Sequence, residues 1–530
     1  MSGARVFDVC GPLPSGTTVL EASAGTGKTF TIAALATRFV AEGVAELSEL
    51  LLVTFGRAAT SELRDRVRER MVSAERLLRA PDARSSSDDV VRHLAAVDDA
   101  ELDRRRARLT RALAQFDAAT IATTHGFCQQ MLASLGVTGD TDAGAVLVPD
   151  IADLVDEVVD DLYLQRYASV PQPTLTPAEA RRAADDAVSD PLAVLEPRSA
   201  EPHTVPGHRA TFAAAARREV QHRKRVRRLH DYDDLVLLLR DALLHPDHGQ
   251  AAAERVRSRY RVVLVDEFQD TDPAQWDILR AAFHGHRTLV LIGDPKQAIY
   301  AFRGGDVVTY LSARRVADAT ATLGRSWRSD EPLLRGLDHV LRGAALGDEE
   351  ILVRPVEAAH TERRLEGGPP LRLRHVTRPA LGARAKGNPK VDRARELVVR
   401  DVAADIVRQL QSTRLRDGSG WRPLEPGDVA VLTRRNADAT AVRDQLASLG
   451  VPAVVSGLSS VFAAPAARYW LTLLSALEQP THSGRAAALA LTPFVGWDAA
   501  RLAAAGDAER DELSDQVRTW SRVVAEGGVA

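Results

Sequence analysis

Short apolar runs alternate with amphipathic stretches through the first three hundred residues. Val19-Leu20 closes one apolar run. Glu49–Phe55, Thr120–His125, Arg261–Val265 and Thr288–Ile292 read as further short strands. Between the first two, Phe30–Val40 has helical periodicity, with Ile32, Leu35, Ala36 and Phe39 on one face. Ala58–Leu78 predicts a second helix with a heavily charged face. Strands that alternate with helices predict an α/β fold with a parallel sheet and crossover connections.

The pattern then changes. Residues from about 130 to 229 are Ala-rich, charged and helical, broken by Pro171, Pro173 and Pro206, which suits an insertion within one α/β domain. A third region contains the segments Pro369–His375 and Asp428–Leu432 and a helix over Ala437–Leu449, and predicts a second α/β domain. Ala380–Asp392 reads as an exposed loop. The expected division is 1–130 with 230–325 as a first nucleotide-binding domain, 131–229 as a helical insertion, 326–460 as the start of a second domain, and 461–530 as a helical segment that opens a second insertion, with a helix at Gln516–Val524.

The loops after three strands carry the chemistry. Ala22-Ser23-Ala24-Gly25-Thr26-Gly27-Lys28-Thr29 lies between a strand and a helix. Glycines there let backbone N–H groups converge on phosphate oxygens, and the helix N-terminus adds partial positive charge. Lys28 would reach the outer phosphates of a nucleotide, and the Thr29 hydroxyl would hold Mg²⁺. Asp266-Glu267 ends the strand Val262–Val265. There Asp266 suits Mg²⁺ and Glu267 suits activation of a water. After the next strand, Gln297 suits a γ-phosphate sensor, and Tyr300, Phe302 and Arg303 suit a stacking surface for bases or, for the aromatics, core packing.

Composition narrows this reading. Net charge is −3, so nucleic-acid contact must come from local patches. Arg217, Arg218, His222, Arg223, Lys224, Arg225, Arg227 and Arg228 form one such patch, read as a phosphate-backbone contact or else as a solvated helix face offset by neighbouring acidic residues. Cys10 and Cys128 are the only cysteines, with no metal or disulfide spacing, which fits a reducing cytoplasm; no apolar run suits a membrane span. Arginine greatly outnumbers lysine, and two of the five lysines, Lys28 and Lys296, fall in motif segments.

The segments Glu21–Leu35, Val53–Arg66, Thr123–Leu132, His230–Leu235, Val265–Trp276, Ile292–Asp306 and Ser326–Ser329 together resemble superfamily 1 helicases of the UvrD/Rep type, and most of all their RecB branch. Asp428–Asp444 extends the resemblance more weakly. The resemblance implies a P-loop (RecA-like) motor domain with a partial second one, ATP and Mg²⁺ as cofactors, DNA as substrate, and RecC-like and RecD-like partner subunits. It also implies 3′–5′ movement on one strand during double-strand-break repair. By the same resemblance Trp327 would stack on adenine and Arg328 would contact the γ-phosphate. Thr54, Phe55, Thr124 and His125 would line the single-stranded DNA path with Tyr300 and Phe302, although Thr54 and Thr124 equally suit strand-end capping. Asp233 and Asp234 would brace the site.

Two departures qualify the expectation. Leu13-Pro14-Ser15-Gly16 stands where many relatives read adenine with a Gln, and Gly56 replaces a more usual Thr. The late motifs His-x-x-Lys-Gly-Leu-Glu and Ala-Leu-Thr-Arg and a nuclease pattern are not in this sequence. The expectation is the N-terminal part of a longer protein or a truncated product. The rival functions are a motor half that binds ATP or DNA without turnover, and a P-loop ATPase that does not use DNA.

Overall fold

The structure is a computed structural model that describes residues 5–136, 146–197, 204–299, 306–381, 390–418, 420–456 and 461–527. The chain divides into two compact units, Met1–Arg363 and Arg364–Ala530.

The first unit holds β1 (Arg5–Val6), β2 (Thr17–Ala22), β3 (Leu50–Thr54), β4 (Thr120–Thr123), β5 (Val146–Leu147), β6 (Leu229–His230), β7 (Val262–Val265), β8 (Thr288–Gly293), β9 (Ala319–Leu323), β10 (Arg325–Asp330) and β11 (Glu357–His360). Seven of them form one parallel sheet in the order β1-β9-β2-β8-β7-β3-β4. Parallel neighbours require crossovers, and these put helices on both faces. Side chains alternate between the faces accordingly. Leu20, Leu50, Leu52, Val262, Leu264, Val290 and Ile292 pack into one core with the helices Lys28–Ala41, Arg57–Leu78 and Asp99–Ala114. Val19, Leu51, Val53, Val263, Val265, Leu289 and Leu291 pack into the other with Thr124–Leu135, Tyr232–Leu244, Gly249–Arg259 and Pro273–Phe283. With both faces covered, β3, β7 and β8 read as near-continuous apolar runs rather than as alternation.

In the first unit the expected helices and strands form with small shifts. The helix drawn as Phe30–Val40 runs Lys28–Ala41 and is buried nearly all round, because helices and sheet enclose it. The strand read as Thr120–His125 stops at Thr123, whose hydroxyl accepts the Gly126 N–H at 3.1 Å and opens the helix Thr124–Leu135. Inside the insertion, Ala152–Tyr167, Pro177–Ser189 and Val205–Arg227 share a core that includes Val158, Ala184, Phe212 and Ala216. Pro206 does not break a helix; it occupies the first turn, where its missing N–H costs nothing.

The basic stretch on that last helix is partly neutralised, while Arg218, His222 and Arg225 are exposed. Arg217 donates to the carbonyls of Ala187, Asp190 and Ala193. Arg223 pairs with Glu157, Asp161 and Glu219, and Arg227 pairs with Glu157. Lys224 is buried. The acidic face of the helix Ala152–Tyr167, through Glu157 and Asp161, supplies most of the neutralising charge on Arg223 and Arg227.

In the second unit, β12 (Arg414–Asp417) and β13 (Gly420–Pro423) form an antiparallel hairpin. The helices Val391–Ser412 and Asn436–Ser448 pack around Ala403, Val442 and Leu446. Pro465–Glu478, Ser483–Ala490 and Asp507–Gly527 share another small core. The runs 369–375 and 428–432 have no ladder among the described residues. Leu373 is 83% exposed and Leu432 95%. A strand needs a neighbour for its backbone groups, and apolar content alone does not supply one.

Candidate nucleotide and nucleic-acid site

The fully buried β2 delivers the chain to Ser23–Gly27 at the centre of the sheet. Gly25 and Gly27 have φ of 76° and 86°, a region that a side chain disfavours. The Thr26 hydroxyl and N–H both donate to the Ser23 carbonyl, at 2.7 and 3.2 Å, and close the loop. Gly27 is the N-cap of the helix Lys28–Ala41 and adds no capping side chain. Ala22 ends β2, Ala24 is exposed, and Thr29 is half-buried on the first turn. The loop thus keeps its own hydrogen bonds while it presents a helix N-terminus, the arrangement that favours an anion.

Trp327 and Arg328 lie against this loop within the same unit. The Trp327 N–H donates to the Gly25 carbonyl at 2.8 Å. A Cβ placed on Gly25 would lie 2.5 Å from the Arg328 Cβ. The Trp327 indole is 56% exposed, and the Arg325 guanidinium sits 4.8 Å from its ring centre. An exposed indole beside a phosphate-binding loop can take a flat aromatic ligand.

Asp266 and Glu267 follow β7 directly. The Asp266 N–H donates to the Val53 carbonyl at 2.8 Å, and its carboxylate accepts the Glu267 N–H at 2.9 Å. Glu267 has left-handed backbone, φ 50°, and its carboxylate accepts the Lys28 ammonium. Burial, then the like charge of Glu267, push the Asp266 carboxyl up to about 6. A divalent cation would relieve that repulsion, so the donor set fits one. Among the described residues no group of three or more His, Cys, Asp or Glu side chains could hold a metal ion. A cation at Asp266 and Thr29 would therefore complete its shell with phosphate and water oxygens.

Gln269, which the sequence reading passed over, joins this strand end to the next. Its side-chain N–H donates to Glu267 at 2.8 Å, and its oxygen accepts the Asp294 N–H at 2.9 Å. Asp294, itself buried, accepts from Gln297 at 2.7 Å and pairs with Lys296 at 2.6 Å. Glu267 and Gln297 are thus linked through two buried side chains. Only the position of Gln269 between two acidic residues in the motif hinted at this.

The expected nucleic-acid residues divide. Thr54 ends β3, is 1% exposed, and its hydroxyl has no partner among the described residues, so it neither caps a helix nor faces solvent. Capping at β4 falls to Thr123, which leaves Thr124 half-buried in the first helical turn. Phe55 is half-buried. His125 packs edge-on against Tyr232, ring centres 5.6 Å apart, and burial lowers its basicity. Tyr300, Phe302 and Arg303 lie outside the described residues. Asp234 is buried and holds Lys224, whereas Asp233 lies beside Asp272 at a different cavity.

Known proteins resemble this chain in sequence. A model of the UvrD/REP helicase N-terminal domain matches residues 9–318. The chain is 48% identical over 534 residues to a protein from Mycolicibacterium smegmatis named RecBCD enzyme subunit RecB, covering 99% of this chain and 48% of the relative. It is 47% identical over 530 residues to the protein of that name from Mycobacterium tuberculosis, with the same coverage. It is 29% identical over 647 residues to the one from Escherichia coli, covering 96% of this chain and 53% of the relative. The chain spans about half the length of the curated relatives it matches. With the family's N-terminal domain matched over more than half of its residues, this chain belongs to the UvrD/REP helicase family.

Proposed function

We propose that this chain carries the ATP-hydrolysing half of a RecB-type DNA motor, moving 3′ to 5′ on one strand in the repair of double-strand breaks in the cytoplasm. The single observation behind this reading is the Lys28–Glu267 pair, which joins the phosphate loop to the strand-end carboxylates across the sheet centre. Lys28 would leave Glu267 for the outer phosphates, which frees that carboxylate to take a proton from the attacking water. Mg²⁺ held by Thr29 and Asp266 would offset phosphate charge. Trp327 would hold adenine, and Arg328 would reach the γ-phosphate. Gln269 would carry the change at Glu267 to Asp294 and Gln297. RecC-like and RecD-like subunits are the partners this reading proposes, because the relatives are named as subunits of RecBCD.

The test is ATP hydrolysis by the 530-residue chain with and without single-stranded DNA. Stimulation by DNA that Glu267→Gln abolishes supports the reading. Equal hydrolysis with and without DNA favours an ATPase that does not use DNA, and no hydrolysis despite tight ATP binding favours the non-catalytic motor half.

A further inference from the structure

The parallel sheet has a second concave site at its N-terminal edge, on the side away from the phosphate loop. Glu49 and Arg261 directly precede β3 and β7 there, and the Arg261 N–H donates to the Glu49 carbonyl at 2.9 Å. A cavity of about 240 Å³ lies between the end of the helix Lys28–Ala41, the turn Leu47–Glu49 and the helix Asp99–Ala114. Arg108 and Arg111 line it from the last of these, and Arg261 lines it from the start of β7. From Arg261 the surface continues as a groove of about 750 Å³ past His286, Arg287 and Thr288.

Charge is not balanced on this face. Arg104, Arg105 and Arg108 share one carboxylate, that of Glu101. Arg108 is held in place by the Ala41 carbonyl at 2.9 Å and lies over Gly43, where a Cβ would stand 2.7 Å from the guanidinium carbon. Arg111 is exposed, and its guanidinium has no hydrogen bond or ion pair among the described residues. Arg261 is 61% exposed, and its guanidinium lies 3.8 Å from Glu49. The acidic groups of the cavity and groove already serve the backbone. Glu46 and Glu49 form a reciprocal cap on the turn before β3, with Glu49 accepting the Glu46 N–H at 2.9 Å. Asp318 accepts the Thr17 N–H at 2.7 Å.

We propose that this edge is a docking groove for an acidic segment of a partner protein, with one Asp or Glu side chain entering the cavity between Arg111 and Arg261. Guanidinium groups match carboxylates through paired hydrogen bonds. Val40, Leu47 and Ala112 also line the cavity, so it suits a charged group on an apolar stem. A nucleic-acid duplex presents its phosphates on a broad convex surface that cannot enter a cavity of about 240 Å³, which favours a peptide. The occupant sits at the edge of the sheet opposite the phosphate loop, so it does not compete with a bound nucleotide. The proposal is independent of the motor reading.

The experiment is fluorescence anisotropy of a fluorescein-labelled oligoglutamate peptide with the 530-residue chain, repeated over a range of salt concentrations. The unaltered chain should bind the peptide with an affinity that falls as salt rises, and saturating ATP should not displace it. Arg111→Gln combined with Arg261→Gln should weaken binding about tenfold and flatten the salt dependence. Both side chains are exposed, so the melting temperature should stay at the wild-type value. Arg218→Gln combined with Arg225→Gln removes the same charge from the inserted helix and should leave peptide binding unchanged. No salt-sensitive binding by the unaltered chain overturns the proposal, as does wild-type affinity in the Arg111 and Arg261 double variant. Equal weakening by the Arg218 and Arg225 pair reduces the effect to net charge and overturns the site. If duplex DNA displaces the peptide from the unaltered chain and the Arg111 and Arg261 double variant loses duplex binding, the groove belongs to nucleic acid and the proposal falls. A chain that fails to hydrolyse ATP but binds the peptide as described overturns the motor reading and leaves the groove standing.

Discussion

The Trp327 N–H donates to the Gly25 carbonyl at 2.8 Å, so the phosphate loop takes part of its shape from the segment after β9. Gly25 is required twice there, by its φ of 76° and by the Arg328 Cβ 2.5 Å from where its own Cβ would stand. Gly25→Ala should cost roughly 1–3 kcal/mol and lower ATP affinity. Gly56→Ala is the control. Gly56 has extended backbone and nothing within 4 Å of a Cβ, so its melting temperature should stay close to wild type. Thermal melts with and without nucleotide compare the two, and equal melts would refute the steric account.

Lys28→Ala should remove ATP binding while the fold persists. Lys28 is mostly buried, but its partner Glu267 is one-third exposed and keeps Gln269, so stability should change by about 1 kcal/mol or less. Calorimetric titration with ATP checks the first half and a denaturant melt the second. Wild-type ATP affinity in this variant would remove Lys28 from the site.

Gln269→Ala deletes three hydrogen bonds, a part-buried one to Glu267 and buried ones to Asp270 and the Asp294 backbone, and should cost about 2–4 kcal/mol. Its kinetic signature should be a fall in kcat greater than any rise in KM for ATP, because the residue positions Glu267 without touching the phosphate loop. A change confined to KM would assign it to binding instead.

Asp270 gives a pH test. Burial, then the charge of Glu267, push its carboxyl up to about 6, against the pull of Lys28 and Gln269. A folded pKa above the unfolded value means that the folded state favours the protonated form. The relative stability this group contributes is full below its unfolded value near 3.8 and is lost as pH rises through about 6. Asp270→Asn should therefore stabilise the chain above about pH 6, by on the order of 1 kcal/mol, and the advantage should vanish toward about pH 4. Urea melts across that range measure it, and a pH-independent difference would count against the assignment.

Much of the sheet was legible because β3, β7 and β8 hold runs of Val, Leu and Ile that end in polar loops, whereas β1 and β9, too short or too rich in Ala and Thr, were not. Ala22–Thr29, Asp266 and Glu267 were legible for the same reason, since the fold places strand ends side by side. Gln269 and Lys224 were not, because their roles depend on partners brought close only by folding. Lys224 reads as one more basic letter in an arginine-rich helix until Asp231 and Asp234 stand over it. Thr123 and Thr124 show a one-residue limit: the pattern marked the strand end without saying which hydroxyl caps the helix. The segments 369–375 and 428–432 show the reverse limit, stretches whose strand character depends on neighbours they do not have among the described residues.

The scarcity of lysine has a practical consequence for labelling. Lys28, Lys224 and Lys296 are each held by carboxylates, with side chains 12%, 4% and 14% exposed, whereas Lys390 stands in solvent. Amine-reactive reagents should mark Lys390 readily and these three slowly. A change in the labelling of Lys28 would then report on the phosphate loop itself, against a background far quieter than most proteins of this size allow.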